Sequence, residues 1–335
     1  MVASLVAQQA ENRVSDDDAA RYHADAAGFW DTFYSRHENR FFKDRRWLHL
    51  EFPELIAATK RDAGPTTILE VGCGAGNTVF PLLAANENPD LRLIACDYAE
   101  QAVEVIKVRS RCGSLTRQSN PLYASPPAGR CEAYVWDLSG ARASAGVADT
   151  APALNPEQNG EATPGRSAGA QEAFTAHPEQ STVPVTTARG APSLPRNVVP
   201  GSVDIVVLIF VLSALHPSEW AAAAANVYEM LKPSTGLVLL RDYGRHDLPQ
   251  LRFKKNRLLS DNFYVRGDGT RVYFFTPDEL YGIFHAAPCG SAEDTPSAAR
   301  FDTLQMAVDR RLLVNRKERK RMYRVWMQAK MRRRA

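Results

Sequence analysis

One stretch of the sequence, Ile68–Gly76 (ILEVGCGAG), constrains most strongly how the chain can fold. Its apolar residues are typical of the end of a buried strand, and three alternate glycines then require a tight turn. Asn77 is expected to cap a helix over Thr78–Ala85, whose free N–H groups and positive dipole end would lie behind the glycines. The stretch therefore predicts a strand–loop–helix unit in which the backbone can approach a ligand closely.

A second apolar run, Leu91–Cys96, ends in Asp97, which is placed to accept hydrogen bonds from both hydroxyls of a ribose. The glycine spacing is G-x-G-x-G, whereas dinucleotide-binding proteins have G-x-G-x-x-G. Glu70 before the loop and Asp97 after the second strand distinguish the stretch from an ordinary glycine-rich turn. The pattern favours a nucleoside cofactor without a pyrophosphate, namely S-adenosylmethionine, over the nicotinamide cofactor of an oxidoreductase.

From Thr67 onward, strands and helices alternate, which predicts a mostly parallel sheet covered on both faces. The seven expected strands are Thr67–Val71, Leu91–Cys96, a third ending at Trp136, Val203–Leu212, Gly236–Leu240, Gln305–Val314 and Met322–Lys330. Asp137, after the third strand, can accept a hydrogen bond from an adenine amine, because ligands bind at strand carboxyl ends in open sheets. The sequence therefore predicts an α/β, Rossmann-like fold.

Composition divides the rest of the chain. Residues 1–18 are polar and are expected to form a disordered tail, and residues 19–66 a helical, RNA-binding extension. Residues 139–200 contain no Ile, Met, Trp, Tyr, Cys or Lys, and cannot bury enough apolar surface to offset their ordering entropy. They are predicted to form a disordered insertion, which splits the sheet domain into residues 67–138 and 201–335.

Two blocks interleave basic and aromatic residues, Arg36–Leu48 and Leu251–Phe275, the second with a hairpin turn at Asp268-Gly269. Such blocks suit RNA, because cations bind phosphates and aromatic faces stack on unpaired bases. The alternative is an amphipathic surface whose aromatic residues are core and whose arginines are solvated. The candidate RNA contacts, including one arginine after the fifth strand, are Arg36, Arg40, Lys43, Arg45, Arg46, Arg241, Arg252, Lys254, Lys255, Arg266 and Arg271.

The overall composition, 335 residues with 44% apolar and 24% charged, is that of a globular protein. Net charge is only +3, so a basic surface must arise from local clustering. The five cysteines have no C-x-x-C pair or zinc spacing, and no metal is expected. No apolar run approaches the ~20 residues of a membrane span. Residues 1–18 lack a basic-then-apolar pattern, so we do not expect a secretory route. We expect a cytoplasmic protein, and a mitochondrial presequence is poorly supported.

Six blocks of the chain resemble the tRNA 3-methylcytidine methyltransferases. They are HENRFFKDRRWL (37–48), ILEVGCGAGNTVFPLL (68–83), LIFVLSALHP (208–217), LRDYGRHD (240–247), LRFKK (251–255) and NFYVRGDGTRVYFFT (262–276). The resemblance implies a class I methyltransferase that uses S-adenosylmethionine to methylate ring nitrogen 3 of cytidine 32 in tRNA anticodon loops. FFKDR and DRRLLVNR are similar to the branch that acts on threonine- and arginine-accepting tRNAs.

The resemblance also implies cofactor contacts at Trp30, Tyr34, Gly72, Asp97, Asp137, Leu138 and Ile209. Glu70, Gly74 and Gly76 complete the expected cofactor site. The candidate catalytic residue is Asp242, beside Arg241 at the exit of the fifth strand. Its carboxylate could stabilise charge that develops on the cytosine. The alternative is that these residues form a local salt bridge that holds the loop. The expected partner is tRNA, with a protein helper for tRNA selection as a further candidate. Two alternatives stay open, a catalytically silent RNA-binding subunit and a methyltransferase for another RNA.

Overall fold

A seven-stranded sheet forms the centre of the protein. The computed structural model describes residues 2–45, 47–112, 131–140, 193–285, 300–316 and 319–335. The strands are β1 (Thr66–Val71), β2 (Leu91–Asp97), β3 (Cys131–Val135), β4 (Ile205–Ile209), β5 (Leu237–Tyr243), β6 (Leu258–Ser260), β7 (Phe263–Val265), β8 (Arg271–Tyr273), β9 (Phe301–Asn315) and β10 (Lys320–Arg333). The large sheet has the order β3-β2-β1-β4-β5-β10-β9, with β10 antiparallel to both neighbours and the other strands parallel. The predicted α/β fold with seven strands is confirmed.

Helices cover both faces of this sheet. The α-helices among the described residues are α1 (Val2–Ala10), α2 (Asp16–Ala24), α3 (Ala26–His37), α4 (Leu48–Glu51), α5 (Pro53–Ala58), α6 (Val79–Ala84), α7 (Glu100–Cys112), α8 (Trp220–Met230), α9 (Leu248–Leu251) and α10 (Pro277–His285). Successive side chains of β4 alternate between two apolar layers: Val206 and Leu208 pack in one, Ile205 and Val207 in the other. None of the described helices is long and apolar enough to cross a membrane.

A second, antiparallel sheet in the order β6-β7-β8 lies outside the Rossmann-like core. Its β7–β8 hairpin is the one that the Asp268-Gly269 turn predicts. Gly269 has φ +84° and lies against the ring of Phe29, where a Cβ would overlap the ring. The turn therefore joins the small sheet to α3 of the N-terminal extension.

The first residues pack on this small sheet, so the prediction of a disordered tail over residues 1–18 is wrong. Gln9 is buried, and its amide donates hydrogen bonds to the carbonyl oxygens of Gln250 at 2.9 Å and Phe253 at 3.2 Å. The hydroxyl of Tyr264 donates to its side-chain oxygen at 2.9 Å. Because the anchor is a buried amide, apolar periodicity could not reveal it.

The predicted insertion extends too far toward the C-terminus. Residues 141–192 lie outside the described residues, but residues 193–200 belong to the fold, with Val198 buried in the core. The side chain of Asn226 donates to the carbonyl oxygens of Leu138 at 2.7 Å and Gly140 at 3.1 Å, and accepts from the Ser193 N–H at 2.9 Å. One amide thus holds both ends of the segment.

Candidate active site

The loop between β1 and α6 accepts no residue larger than glycine at two of its positions. Gly72 and Gly74 have φ of +61° and +52°, in the left-handed region that favours glycine. A Cβ on Gly72 would lie 2.5 Å from Cγ2 of Val211, and one on Gly74 would overlap the Tyr34 hydroxyl. The sequence pattern therefore reports a steric requirement of the loop.

Asp97, at the end of β2, holds the glycine loop in place. It is buried, and its Oδ2 accepts a hydrogen bond from the Gly74 N–H at 2.9 Å, while Oδ1 accepts from the Ala99 N–H at 3.0 Å. Burial raises the pKa of Asp97 to about 6, and these two N–H groups oppose the rise. The carboxylate also lines the adjacent cavity, so it can accept further hydrogen bonds from a ligand.

Glu70 lies behind the loop and does not line the cavity. Arg45 donates to Glu70 Oε1 at 2.9 Å and to Thr78 Oγ1 at 3.0 Å, which ties the N-terminal extension to β1 and α6. Burial raises the pKa of Glu70 to about 7, against the lowering effect of Arg45. We therefore assign Glu70 to positioning the loop.

Asn77 makes a second link to the extension, and its expected role as helix cap is wrong. The N-cap of α6 is Thr78. The Asn77 side chain instead donates to the carbonyl oxygen of Phe42 at 3.1 Å, because the segment before α4 passes next to the glycine loop.

A cavity of about 340 Å³ opens at the carboxyl ends of the parallel strands. Its first end is lined by all the positions at which the resemblance implies a cofactor contact: Trp30, Tyr34, Gly72, Asp97, Asp137, Leu138 and Ile209. Gly74 and Gly76 shape the loop without lining this cavity. Residues from three separate parts of the chain thus line one cavity.

The second end of the cavity is aromatic and cationic, and sequence reasoning missed most of it. Phe210 has φ +62°, a strained conformation for a residue other than glycine, and its ring lies 4.7 Å from that of Tyr243. The guanidinium groups of Arg266 and Arg324 lie 5.5 Å and 5.9 Å from the Tyr243 ring. The sequence offered one signal for this end of the cavity, namely that Phe210 directly follows a central strand.

Asp242 is fully buried behind this second end. Its carboxylate accepts hydrogen bonds from the backbone N–H groups of Ser213 at 3.1 Å and Tyr243 at 2.8 Å, both of which line the cavity. Burial raises the pKa of Asp242 to about 6. Because Asp242 itself does not line the cavity, it acts on a ligand only through these neighbours.

The predicted RNA contacts fall into two groups. The exposed ones are Arg36, Arg40, Lys43, Arg252, Lys254 and Lys255, and Arg266 lines the cavity. Arg45 and Arg271 are engaged within the protein, Arg271 with His23 and Glu219, although both line the cavity. Arg46 lies outside the described residues.

Arg241 requires a correction, because the structure buries it. Its side chain is 2% exposed and lies between the rings of Trp47 and Trp326, at 4.9 Å and 4.7 Å. It donates to Gln328 and Asp309. The guanidinium therefore faces no solvent. Arg241 forms a local ion pair, which was the alternative interpretation of the polar residues after the fifth strand.

Comparisons with known proteins agree with this geometry. A family model described as a methyltransferase domain matches residues 34–289. The chain is 40% identical over 317 residues to the tRNA N(3)-methylcytidine methyltransferase of Schizosaccharomyces pombe, covering 95% of this chain and 77% of that protein. The chain belongs to the tRNA N(3)-cytidine methyltransferase family.

Two further relatives are informative. This chain is 41% identical over 324 residues to the tRNA(Thr) (cytosine(32)-N(3))-methyltransferase of Saccharomyces cerevisiae, and the match covers 97% of this chain but 40% of that longer protein. It is 40% identical over 334 residues to the tRNA N(3)-cytidine methyltransferase of Danio rerio, covering 91% of this chain and 72% of that protein.

The cofactor of the methyltransferase is S-adenosylmethionine, and the first end of the cavity fits it. The glycine loop lines the cavity at Gly72, and Asp97 offers a buried carboxylate for ribose hydroxyls. The rings of Trp30 and Tyr34, 6.0 Å apart and inclined at 25°, line the same end. These residues would hold the nucleoside and leave the second end of the cavity for the group to be methylated.

Proposed function

We propose that the methyltransferase methylates ring nitrogen 3 of cytidine 32 in the anticodon loop of threonine-accepting tRNA, with arginine-accepting tRNA as a further substrate. The observation that carries this proposal is the continuous cavity, which joins the cofactor residues to an aromatic and cationic second end. The name of the Saccharomyces cerevisiae relative supports the position and the tRNA. A protein helper and a cytoplasmic location stay predictions of the sequence.

The chemistry needs positioning more than acid–base catalysis. Nitrogen 3 of cytosine carries an in-plane lone pair and is unprotonated at neutral pH. S-adenosylmethionine, when bound, supplies an electrophilic methyl group, so no strong base is required. In a stacked loop this nitrogen faces inward, and the base must therefore leave the stack to enter the cavity.

The second end of the cavity suits an extruded pyrimidine. Phe210 and Tyr243 offer ring faces for stacking, and Arg266 and Arg324 offer donors for the cytosine carbonyl or a neighbouring phosphate. The methylated base is cationic. Ionised Asp242, behind Ser213 and Tyr243, favours that charge and fixes the wall, so we assign it as a positioning residue with a pH-dependent effect.

Purified protein, S-adenosylmethionine and transcribed threonine tRNA test the activity. Nucleoside mass spectrometry should detect 3-methylcytidine in the wild-type tRNA and none in a tRNA that carries uridine at position 32. Methylation at another nucleotide would contradict the assigned substrate. Tight tRNA binding without any methyl transfer would instead indicate the catalytically silent subunit.

Phe210→Ala tests the second end of the cavity. Base–aromatic stacking contributes about 1–3 kcal/mol, so kcat/KM for tRNA should fall by about tenfold or more. The affinity for S-adenosylmethionine should be unchanged, and Phe210→Tyr, which keeps the ring, is the matched control. Equal activity of the alanine variant would show that the base is held elsewhere.

A further inference from the structure

The β9–β10 hairpin extends beyond the sheet at the edge where the cavity opens. β10 pairs with β5 over Trp326–Arg332, and Tyr243 at the carboxyl end of β5 faces Trp326. Pairing between β9 and β10 continues past that point to Asn315 and Lys320. At about 3.4 Å per residue, Lys320–Val325 carry the hairpin roughly 20 Å beyond β5. We call residues 310–316 and 319–325 the hairpin tip.

The base of the hairpin tip is fixed to the wall of the cavity. Arg324 forms a bidentate salt bridge with Asp247, in which Nη2 lies 2.8 Å from Oδ2 and Nε lies 2.9 Å from Oδ1. Asp247 is fully buried and also accepts a hydrogen bond from the Val325 N–H at 3.0 Å. Because Arg324 lines the cavity as well, the tip has a defined position relative to the methylation site.

One face of the hairpin tip exposes apolar and aromatic side chains. Residues directly opposite each other in an antiparallel pair share a face. Leu312 lies opposite Tyr323, and Val314 opposite Arg321. Tyr323 is 65% exposed, Val314 53% and Leu312 46%. Such an exposed cluster on a projecting ribbon indicates a binding surface.

Charge identifies the kind of partner. The described residues of the tip include no acidic residue, and five of its arginines are exposed: Arg310, Arg311, Arg316, Arg319 and Arg321. Arg311 pairs with Glu51 and Asp309, whereas the other four form no ion pair with any other described residue. Arginine suits phosphate oxygens through its planar fork of N–H donors, and an exposed tyrosine among arginines can stack on a nucleobase.

We propose that the hairpin tip is a second RNA-binding surface, which holds the tRNA strand that leads away from the nucleotide in the cavity. Arg310 and Arg321 bind phosphates, and Tyr323 stacks on a base or a ribose beside them. This proposal rests on the proposed function. It adds a binding surface that runs from the cavity wall at Arg324 to about 20 Å beyond β5, on a segment that neither basic-aromatic block of the sequence includes.

The paired substitution Arg310→Gln with Arg321→Gln tests the surface. Removing one phosphate contact lowers the log–log dependence of affinity on salt by about 0.7–0.9, so the double variant should lower it by about 1.5. Affinity for threonine tRNA at 0.1 M salt should fall by about tenfold. The matched control, Arg332→Gln with Arg334→Gln, removes two exposed charges at the opposite end of the same ribbon and should bind like the wild type.

Tyr323→Ala separates stacking from charge. It should weaken tRNA binding several-fold while leaving the salt dependence unchanged, because no counterion is released at an aromatic ring. S-adenosylmethionine affinity, measured on each variant, verifies that the cavity is intact.

Three outcomes would overturn the proposal. The first is wild-type tRNA affinity and salt dependence in the double variant. The second is aggregation of that variant with unchanged tRNA affinity, which would assign the arginines to protecting the exposed edge strand β9. The third is unchanged binding of purified tRNA with lower methylation only in extract, which would indicate a protein partner. Failure of the wild type to form 3-methylcytidine would count against the proposed function, whereas the binding measurement tests the tip separately.

Discussion

The two ends of the cavity are built in different ways. The cofactor end is centred on the glycine loop, where Asp97 accepts hydrogen bonds from the Gly74 and Ala99 N–H groups and Glu70 pairs with Arg45. The substrate end combines residues after β4 and β5 with the small sheet and the base of the C-terminal hairpin. Local chemistry therefore specifies the glycine loop of the first end, whereas tertiary packing brings the second end together from separate elements.

Arg241 gives the strongest test of this difference, because sequence reasoning assigned it to RNA and the structure buries it. Arg241→Gln removes one partner of a buried ion-pair network, a change that typically destabilises a protein by about 3–5 kcal/mol. Urea unfolding should show a loss of this size, and exposed Arg252→Gln should stay within about 0.5 kcal/mol. A stable Arg241→Gln protein with weaker, less salt-dependent tRNA binding would restore the sequence-based assignment.

Asp97→Ala should cause the second largest effect, confined to the cofactor end. Loss of hydrogen bonds to a charged acceptor costs about 1.5–3 kcal/mol each, so S-adenosylmethionine affinity should fall by about 100-fold or more in calorimetry. tRNA affinity should change little. Exposed Asp137→Ala is the comparison, with a smaller loss expected. Cofactor affinity equal to that of the wild type in Asp97→Ala would mean that this carboxylate serves only the glycine loop.

Much of the cofactor end could be predicted from the sequence because its steric demands fix residue types. A Cβ at Gly72 or Gly74 has no room, and the spacing of these glycines relative to Asp97 records that restriction. Whether an arginine is buried or exposed, by contrast, cannot be read from the residue type. Arg241 and Arg252 look alike in sequence, yet one lies between two tryptophan rings and the other faces solvent. Gln9 and the start of the core at Ser193 were missed because buried hydrogen bonds, not apolar patterns, anchor them.

The pH dependence of stability tests the burial of Glu70. Its pKa in the folded protein is about 7, above the usual 4.5, so the folded state holds a proton that the unfolded chain releases. Stability from this group is therefore present below about pH 4.5 and is lost as pH rises toward 7. In Glu70→Gln, the fall in unfolding free energy between pH 5 and pH 7.5 should shrink by on the order of 2 kcal/mol. An unchanged fall would contradict the assigned pKa.

Exposed cations of the two basic-aromatic blocks should have smaller effects that appear only in RNA binding. Neutralising Lys43 and Arg40, or Lys254 and Lys255, should lower the salt dependence of tRNA affinity by about 0.7–0.9 for each phosphate that is no longer neutralised. Melting curves should not change, because exposed ion pairs contribute about 0–1 kcal/mol. If the melting temperature falls while the salt dependence stays constant, these residues belong to the fold.

Replacing residues 141–192 with a short Gly-Ser linker should have the smallest effect, within about 0.5 kcal/mol of the wild-type unfolding free energy. Extending the deletion to Pro200 removes Val198 from the core and the hydrogen bond between Ser193 and Asn226, and should cost about 1–3 kcal/mol more. Equal stability of the two deletions would show that residues 193–200 add nothing to the core.

Asn226 makes the fold tolerant of length at one place. Its amide fixes where the chain departs at Gly140 and where it returns at Ser193, so the spacing of those two points does not depend on the sequence between them. Closing a flexible loop costs only about 0.6 kcal/mol more each time its length doubles. The protein therefore has a natural insertion site between Gly140 and Ser193, which is remote in the chain from the hairpin tip. A reporter or a whole accessory domain could be inserted there while the cavity keeps its geometry.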